Sequence, residues 1–304
     1  MAQSEAKWVT GATVLQKTPE EWVTQYGAKI IHQSWKTARI PLGQMTSNFV
    51  SWSRYHPDAL HVLWTDEDNR EFMRRFYPEF VATYWSPLLT NVQRADLARV
   101  LYLHRYGGLY ADLDYEARAN VLEALPKTAA KIFVVRSPTL MNEVMQNSLM
   151  VGLVPGQAFW YESVRSAQEI VRFLEHPEEC FRNKWSGCDD LMMFHSPLVG
   201  KAVNLVYSAF MTGPAVLDRT FALHVAGGWK PDWQIELLPL DRFFIGSVAK
   251  HYQFSTWVSI PWAIRELIGL IALGLVAVFG AGAFAMRYYL LRNARGPKHD
   301  RMTE

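Results

Sequence analysis

The sequence has little cysteine, no excess of either charge, and no apolar run near its start. Two cysteines, Cys180 and Cys188, occur in 304 residues, which excludes a fold built mainly on disulfides. They could pair in a lumen, although buried thiols are their commoner role. The 31 basic side chains nearly balance the 29 acidic ones, so no positive field indicates a nucleic-acid ligand. Half of the residues are hydrophobic, which excludes intrinsic disorder as the main state.

A long apolar run lies near the C-terminal end. Residues 267–286 include no charged or strongly polar side chain. An α-helix of this length spans about 30 Å, the thickness of a bilayer's hydrocarbon core. The run predicts one transmembrane helix. With its flanking residues the helix covers residues 263–288, and a basic tail follows at residues 289–304.

The side of the membrane on which the main domain lies stays open. Arg287, Arg292 and Arg295 follow the span, which predicts a cytosolic tail and a domain outside the cytosol. The first 25 residues contain no apolar run that could act as a signal peptide, and the chain has no Asn-x-Ser/Thr sequon. These two observations favour a cytosolic domain instead.

The rest of the chain alternates short apolar runs with helical patterns. The predicted strands are residues 29–33, 61–64, 109–111 and 131–135. The predicted helices are residues 66–76, 92–106, 161–174 and 197–210. This alternation predicts a single-domain α/β sandwich with a mostly parallel sheet over residues 29–262, after an N-terminal segment of residues 1–28.

Asp112 and Asp114 follow a predicted strand and are the sharpest local feature of the chain. Carboxylates two residues apart at a strand end can hold one hard divalent cation, and ligands of open α/β sheets collect at this edge. An isolated Asp-x-Asp is usually a pair of solvated loop acids. The strand context and the preceding helix favour a cation site here.

Asp96 and Arg99 lie three residues apart on that preceding helix and so share one of its faces. The ordinary interpretation is a surface ion pair that contributes less than about 1 kcal/mol. The functional interpretation is a pair that faces a cleft and holds a polyhydroxylated ligand by charge-assisted hydrogen bonds.

Four motifs occur in order between residues 29 and 114: KIIHQSWK, LWTDEDNREF, RADLAR and RYGGLYADLD. Together they resemble the DXD-containing glycosyltransferase family 32, strongly over residues 29–116 and more loosely at residues 147–148, 212–214 and 224–229. Its members include inositol phosphorylceramide mannosyltransferases, initiation-specific α-1,6-mannosyltransferases and α-1,4-galactosyltransferases. The resemblance implies a GT-A-type fold and a retaining, metal-dependent transferase.

The resemblance also implies roles for the acidic and basic residues. Asp112 and Asp114 would hold Mn²⁺ or Mg²⁺ on the diphosphate of a nucleotide-sugar donor, with Asp112 also near the donor ribose or sugar. Asp96 and Arg99 would hold the donor sugar.

Three further residues complete the expected donor site. Trp35 would pack on the base of the nucleotide, and Asn147 would lie near the sugar. His224 would be the late ligand of the metal or of the diphosphate, although a structural role for this histidine is equally compatible with the sequence.

The expected reaction moves a hexose, best fitted by mannose from GDP-mannose, onto a membrane glycolipid or sphingolipid such as inositol phosphorylceramide. A single-pass protein of the Golgi or another eukaryotic endomembrane would suit that acceptor. Alternatives are a glycan α-mannosyltransferase, a UDP-sugar enzyme, and a non-catalytic membrane partner of an active transferase. The presence of both DXD aspartates favours an enzyme. The chain departs from these mannosyltransferases in its predicted membrane anchor. They are usually anchored at the N-terminus or have more than one span, whereas the span predicted here lies near the C-terminal end.

Overall fold

The computed structural model describes residues 8–138, 143–176, 212–226 and 234–252 of the chain. The chain divides into two compact units, residues 1–254 and residues 255–304, and every described residue belongs to the first. The predicted membrane helix, the basic tail, both cysteines and the predicted helix at residues 197–210 lie outside the described residues. Within those residues, no helix combines the length and apolar character that crossing a membrane requires.

The described residues form nine strands and ten α-helices. The strands are β1 (Trp8–Thr10), β2 (Ile30–Ser34), β3 (Leu60–Trp64), β4 (Gly108–Ala111), β5 (Tyr115–Ala117), β6 (Ile132–Pro138), β7 (Glu143–Gly152), β8 (Ile235–Leu238) and β9 (Ala249–His251). The helices are α1 (Gly11–Val14), α2 (Pro19–Tyr26), α3 (Gln44–Tyr55), α4 (Asp66–Phe76), α5 (Val81–Tyr84), α6 (Asn91–Tyr106), α7 (Val121–Ala124), α8 (Ala158–Glu175), α9 (Pro214–Ala226) and α10 (Leu240–Phe243).

Seven strands form the central sheet in the order β1-β3-β2-β4-β7-β6-β8, and β5 pairs with β9 in a separate ribbon. Four of the six pairings in the central sheet are parallel, and the two that involve β7 are antiparallel. This topology confirms the α/β class and the mostly parallel sheet that the sequence predicts. The sheet also extends into residues 1–28, because Trp8 of β1 pairs with His61 of β3.

Local signals explain where α4 and α6 begin. The Thr65 hydroxyl accepts a hydrogen bond from the Asp68 N–H, and the Asp68 carboxylate accepts one from the Thr65 N–H; Thr90 and Gln93 repeat this capping box. The predicted bounds at residues 66–76 agree with α4, and those at residues 92–106 differ from α6 by one residue.

Two glycines join α6 to β4 and so place the DXD motif. Gly107 ends the helix with a φ of 67°, and Gly108 begins the strand with a φ of 91°. A Cβ at Gly108 would clash with the carbonyl oxygen of Ile30, so only glycine allows β4 to approach β2 this closely. The tight turn brings β4, and Asp112 after it, into the middle of the sheet.

The core lies on both faces of the central sheet. Neighbouring residues of β4, Leu109 and Tyr110, belong to different apolar clusters because side chains alternate along a strand. Trp64 and Trp160 are buried in one cluster, and Trp52 is buried in the other. These tryptophans therefore serve as core residues.

Candidate functional site

The two DXD aspartates lie between the end of β4 and the start of the β5–β9 ribbon. Asp112 directly follows β4, and Asp114 directly precedes β5. The backbone of Asp112 is fixed on both sides, because its N–H donates to the Ser148 carbonyl (2.9 Å) and its carbonyl accepts from Gln33 Nε2 (3.2 Å). The motif thus lies at the carboxyl edge of the parallel strands, where ligands of such sheets bind.

Asp112, which is itself partly exposed, also belongs to a largely buried polar group that we call the arginine cluster: Asp96, Arg99, Asp112, Asn147 and Thr212. Arg99 lies 3.3 Å from Asp96 Oδ1 through Nη2 and 3.0 Å from Asp112 Oδ1 through Nη1. Asn147 Nδ2 donates to Asp96 Oδ1 (3.1 Å), and Thr212 Oγ1 donates to Asp96 Oδ2 (3.0 Å). Both oxygens of Asp96 are therefore engaged by the protein, which fixes this carboxylate in place.

Burial governs the ionisation of the two carboxylates in the cluster. It raises the pKa of Asp96 to about 6, although the Arg99 guanidinium acts in the opposite direction. Burial also raises the pKa of Asp112, again opposed by Arg99 and reinforced by the negative charge of Asp114. A divalent cation beside Asp112 would favour its ionised form, as Arg99 does.

Tyr110 fixes the orientation of Asp112 together with Arg99. Its hydroxyl donates to Asp112 Oδ1 (2.7 Å), and its ring lies 4.8 Å from the Arg99 guanidinium. Arg99 contacts the same carboxylate oxygen. Because both contacts fall on Oδ1, the carboxylate is held through one oxygen, and Oδ2 takes part in neither contact.

A second group, which we call the triad, consists of Asp112, Asp114 and His251. One potential ligand atom of each residue lies within 4.8 Å of the others, and His251 Nε2 is 3.0 Å from Asp114 Oδ1. Two carboxylates and an imidazole form a donor set that suits Mn²⁺ and, through the oxygens, Mg²⁺. The residues present therefore fit a divalent cation.

His251 is a potential metal ligand that sequence reasoning missed. It reaches the triad because β9 pairs with β5, with His251 opposite Tyr115. No motif surrounds it, and its distance from Asp114 in the chain carries no signal. His224, the third ligand that the sequence predicted, lies on α9, but its side chain is outside the described residues.

The other predicted residues gather at the same edge of the sheet. Trp35 directly follows β2 and is partly buried against Phe49, Leu63 and Leu113. Leu113 separates the two DXD aspartates, so Trp35 lies near the motif. Asn147 joins through its hydrogen bond to Asp96. The donor-binding roles of Trp35 and Asn147 remain predictions.

Residues 44–131 match the protein family described as "Glycosyltransferase sugar-binding region containing DXD motif". The matched range contains Asp96, Arg99, Asp112 and Asp114, the acidic and basic residues that the sequence predicted. Trp35, Asn147, Thr212 and His251 lie outside it.

Similar curated proteins come from two yeasts. The chain is 38% identical over 138 residues to inositol phosphoceramide mannosyltransferase 3 of Schizosaccharomyces pombe, which covers 45% of this chain and 36% of that protein. It is 37% identical over 141 residues to mannosyl phosphorylinositol ceramide synthase CSH1 of Saccharomyces cerevisiae. That alignment covers 45% of this chain and 34% of the relative. The chain thus spans about a third of the length of these relatives.

Solved structures resemble the chain more distantly. The catalytic domain of alpha-toxin from Clostridium novyi gives a TM-score of 0.46 at 11% identity, covering 86% of this chain and 85% of that one. The PaToxG glycosyltransferase gives a TM-score of 0.43 at 13% identity, covering 71% and 78%.

Proposed function

We propose that the chain is a metal-dependent transferase of the GT-A type, because residues 44–131 match the DXD-containing sugar-binding region of glycosyltransferases. It would take a hexose from a nucleotide sugar. One observation carries this proposal: the triad and the arginine cluster meet at Asp112. A site for a cation on a diphosphate therefore lies directly beside a site for a polyhydroxylated sugar.

Asp112, Asp114 and His251 would hold Mn²⁺ or Mg²⁺ against the donor diphosphate. When bound, such a cation neutralises the charge that builds on the leaving diphosphate as the anomeric bond breaks. The protein's own contribution is to fix the ligands before the donor arrives. The two backbone hydrogen bonds of Asp112 and the contacts to its Oδ1 do this for the first carboxylate.

Arg99 and Asp96 would hold the hydroxyls of the donor sugar by charge-assisted hydrogen bonds. Burial suits this task, because a hydrogen bond to a charged group is stronger where water is excluded. Trp35 would pack its ring on the base of the nucleotide, at the side of the motif where Leu113 lies.

We propose retention at the anomeric carbon by attack from the face that the diphosphate leaves. The acceptor oxygen would form the new glycosidic bond while the bond to the diphosphate breaks, and the acceptor's proton would pass to the leaving phosphate. The fixed position of Asp96 supports this route over a covalent intermediate, because its oxygens accept from Asn147 and Thr212 and pair with Arg99.

The donor and acceptor are proposed from the relatives' names. Mannose as the sugar and inositol phosphoceramide as the acceptor fit the names of the yeast proteins, and GDP-mannose is the donor that we propose. The apolar residues 267–286 support a membrane anchor and an endomembrane location, for which the Golgi is our proposal. A transferase of the same family that uses a glycan acceptor or a UDP-sugar is the second candidate.

A donor panel tests the proposal. The full chain in detergent is incubated with Mn²⁺ and, in turn, GDP-mannose, UDP-galactose, UDP-glucose and UDP-N-acetylglucosamine, with and without inositol phosphoceramide. We expect GDP release that the lipid stimulates. Release from a UDP-sugar would replace mannose with another hexose. Absence of release from every donor would favour a non-catalytic partner of an active transferase.

A further inference from the structure

The ring of His251 contacts two aromatic side chains that none of its proposed roles requires, and these two rings also lie 6.1 Å from each other. Tyr115 stacks on it with centroids 4.4 Å apart and planes inclined by 11°, and Phe244 meets it edge-on at 4.8 Å and 72°. Both aromatic residues are buried, Tyr115 completely. We call Tyr115 and Phe244 the aromatic clamp.

The clamp restrains a ring that lacks the hydrogen bond usual for a metal-binding histidine. In most sites the second ring nitrogen donates to a carboxylate or carbonyl, which fixes the orientation of the ring. Here Nε2 faces Asp114, while Nδ1 is buried and has no hydrogen-bond partner in the part of the chain that the structure describes. Stacking is the restraint on the ring that the structure does show.

The backbone holds the clamp itself in place. Tyr115 and His251 are directly paired across β5 and β9, and the Tyr115 carbonyl accepts from Trp52 Nε1 (3.0 Å). The His251 N–H donates to the Phe244 carbonyl (2.7 Å), and the Tyr252 N–H donates to the Asp114 carbonyl (2.9 Å). These backbone contacts tie the clamp to the DXD turn.

We propose that Tyr115 is a positioning residue that keeps the His251 imidazole aimed at the cation held by Asp112 and Asp114, with Phe244 restraining the ring through its edge-on contact. This inference rests on the metal site of the proposed function. Tyr115, the residue directly after the DXD motif, would orient His251, the third ligand, which β9 brings from a distant part of the sequence.

A double-mutant cycle on Mn²⁺ affinity tests the proposal. Free Mn²⁺ is counted by electron paramagnetic resonance in titrations of the full chain without donor or acceptor. We expect Tyr115→Leu to weaken Mn²⁺ binding about tenfold or more, as loss of a ligand-orienting partner does. Tyr115→Phe keeps the ring and should keep the affinity. In a His251→Ala background, Tyr115→Leu should cause no further loss.

A purely structural role for Tyr115 predicts a different result. Tyr115→Leu would then lower Mn²⁺ affinity equally with and without His251, or only lower the thermal midpoint, and either outcome overturns the proposal. Phe244→Leu provides a second variant if Tyr115→Leu does not fold. It should also weaken Mn²⁺ binding only when His251 is present.

The same titration separates this inference from the proposed function. If the wild-type chain binds no Mn²⁺, the metal site and the clamp's role both fail. If the cycle gives the expected pattern but no donor is cleaved, the proposed reaction fails while the clamp's role stands.

Discussion

The arginine cluster and the triad share Asp112, but they differ in how their charges are compensated. In the cluster, Arg99 pairs with both Asp96 and Asp112 inside the protein. In the triad, Asp114 pairs with His251, an imidazole that is charged only when protonated. In the arginine cluster, a guanidinium of the protein supplies the positive charge. The triad has no arginine or lysine among its members and is suited to take its positive charge from a bound cation.

This difference suits the two tasks that we propose for the site. A preassembled cluster can orient a neutral sugar without reorganising, which is how binding energy is used for positioning. A triad of ligands that a cation completes can respond to the diphosphate charge that develops during the reaction. Variants in the two halves should therefore fail in different ways.

The largest effect is expected from Asp114→Asn in the triad. We expect kcat to fall by about 100-fold or more at saturating Mn²⁺, because the cation that we propose on the leaving diphosphate would lose a charged ligand. The thermal midpoint should change little. Asp58→Asn is the matched control, since it removes a carboxylate whose side chain is 57% exposed in a surface pair with Lys29. Asp114→Asn with wild-type turnover would remove Asp114 from the metal role.

Arg99→Ala should damage folding as well as turnover, because it leaves the buried Asp96 and the partly buried Asp112 without their cation. We expect a loss of about 3 kcal/mol in the free energy of unfolding, measured by urea denaturation, and a lower kcat/KM for donor. Arg74→Ala is the control, since its exposed pair with Glu71 should contribute less than about 1 kcal/mol. If both variants lost the same small free energy of unfolding, Arg99 would be no more than an ordinary ion-pair residue.

The raised pKa of Asp96 should make the free energy of unfolding depend on pH. Its pKa is about 6 in the folded chain against an ordinary value of 3.8, so the folded state holds a proton that the unfolded state releases. This contribution is complete below pH 3.8 and is lost as pH rises through about 6. The destabilisation caused by Asp96→Asn should thus be about 2 kcal/mol greater at pH 4.5 than at pH 7. A constant cost across this range would contradict the raised pKa.

His61 should show the opposite sign, because it is buried as a neutral ring beneath the site. Burial lowers its pKa from 6.5 to about 3, and its Nε2 lies 2.9 Å from Oε1 of Gln33, which in turn contacts the Asp112 carbonyl. The resulting stability is present above pH 6.5 and is lost as pH falls toward 3. The cost of His61→Gln should therefore shrink by about 2 kcal/mol between pH 7 and pH 5, measured by the same urea method. A cost that grows on acidification would be inconsistent with a neutral buried ring.

The sequence predicts the positions of site residues that lie close together along the chain, because local rules govern the helix, turn and strand that carry them. The α6 helix, the two glycines and the DXD motif are contiguous, so the spacing of Asp96, Arg99, Asp112 and Asp114 already predicted one site. Strand β2 was predicted from its apolar run, and its end carries Trp35. These parts depend on periodicity, capping and turn chemistry.

Residues brought in by long-range pairing could not be placed in this way. His251 enters the site through the pairing of β9 with β5, and Thr212 enters through one hydrogen bond to Asp96. Neither contact leaves a periodic signal in the sequence. The resemblance named His224 as the late ligand, whereas the described residues bring His251 beside Asp114.

The most direct test of the account is removal and return of metal in a single reaction. Purified full chain is treated with EDTA, and GDP release from GDP-mannose is followed with inositol phosphoceramide before and after Mn²⁺ is added in excess. We predict no release in EDTA, and release that returns with Mn²⁺ and depends on the lipid. Release that continues undiminished in EDTA would contradict a metal-dependent transfer at Asp112 and Asp114.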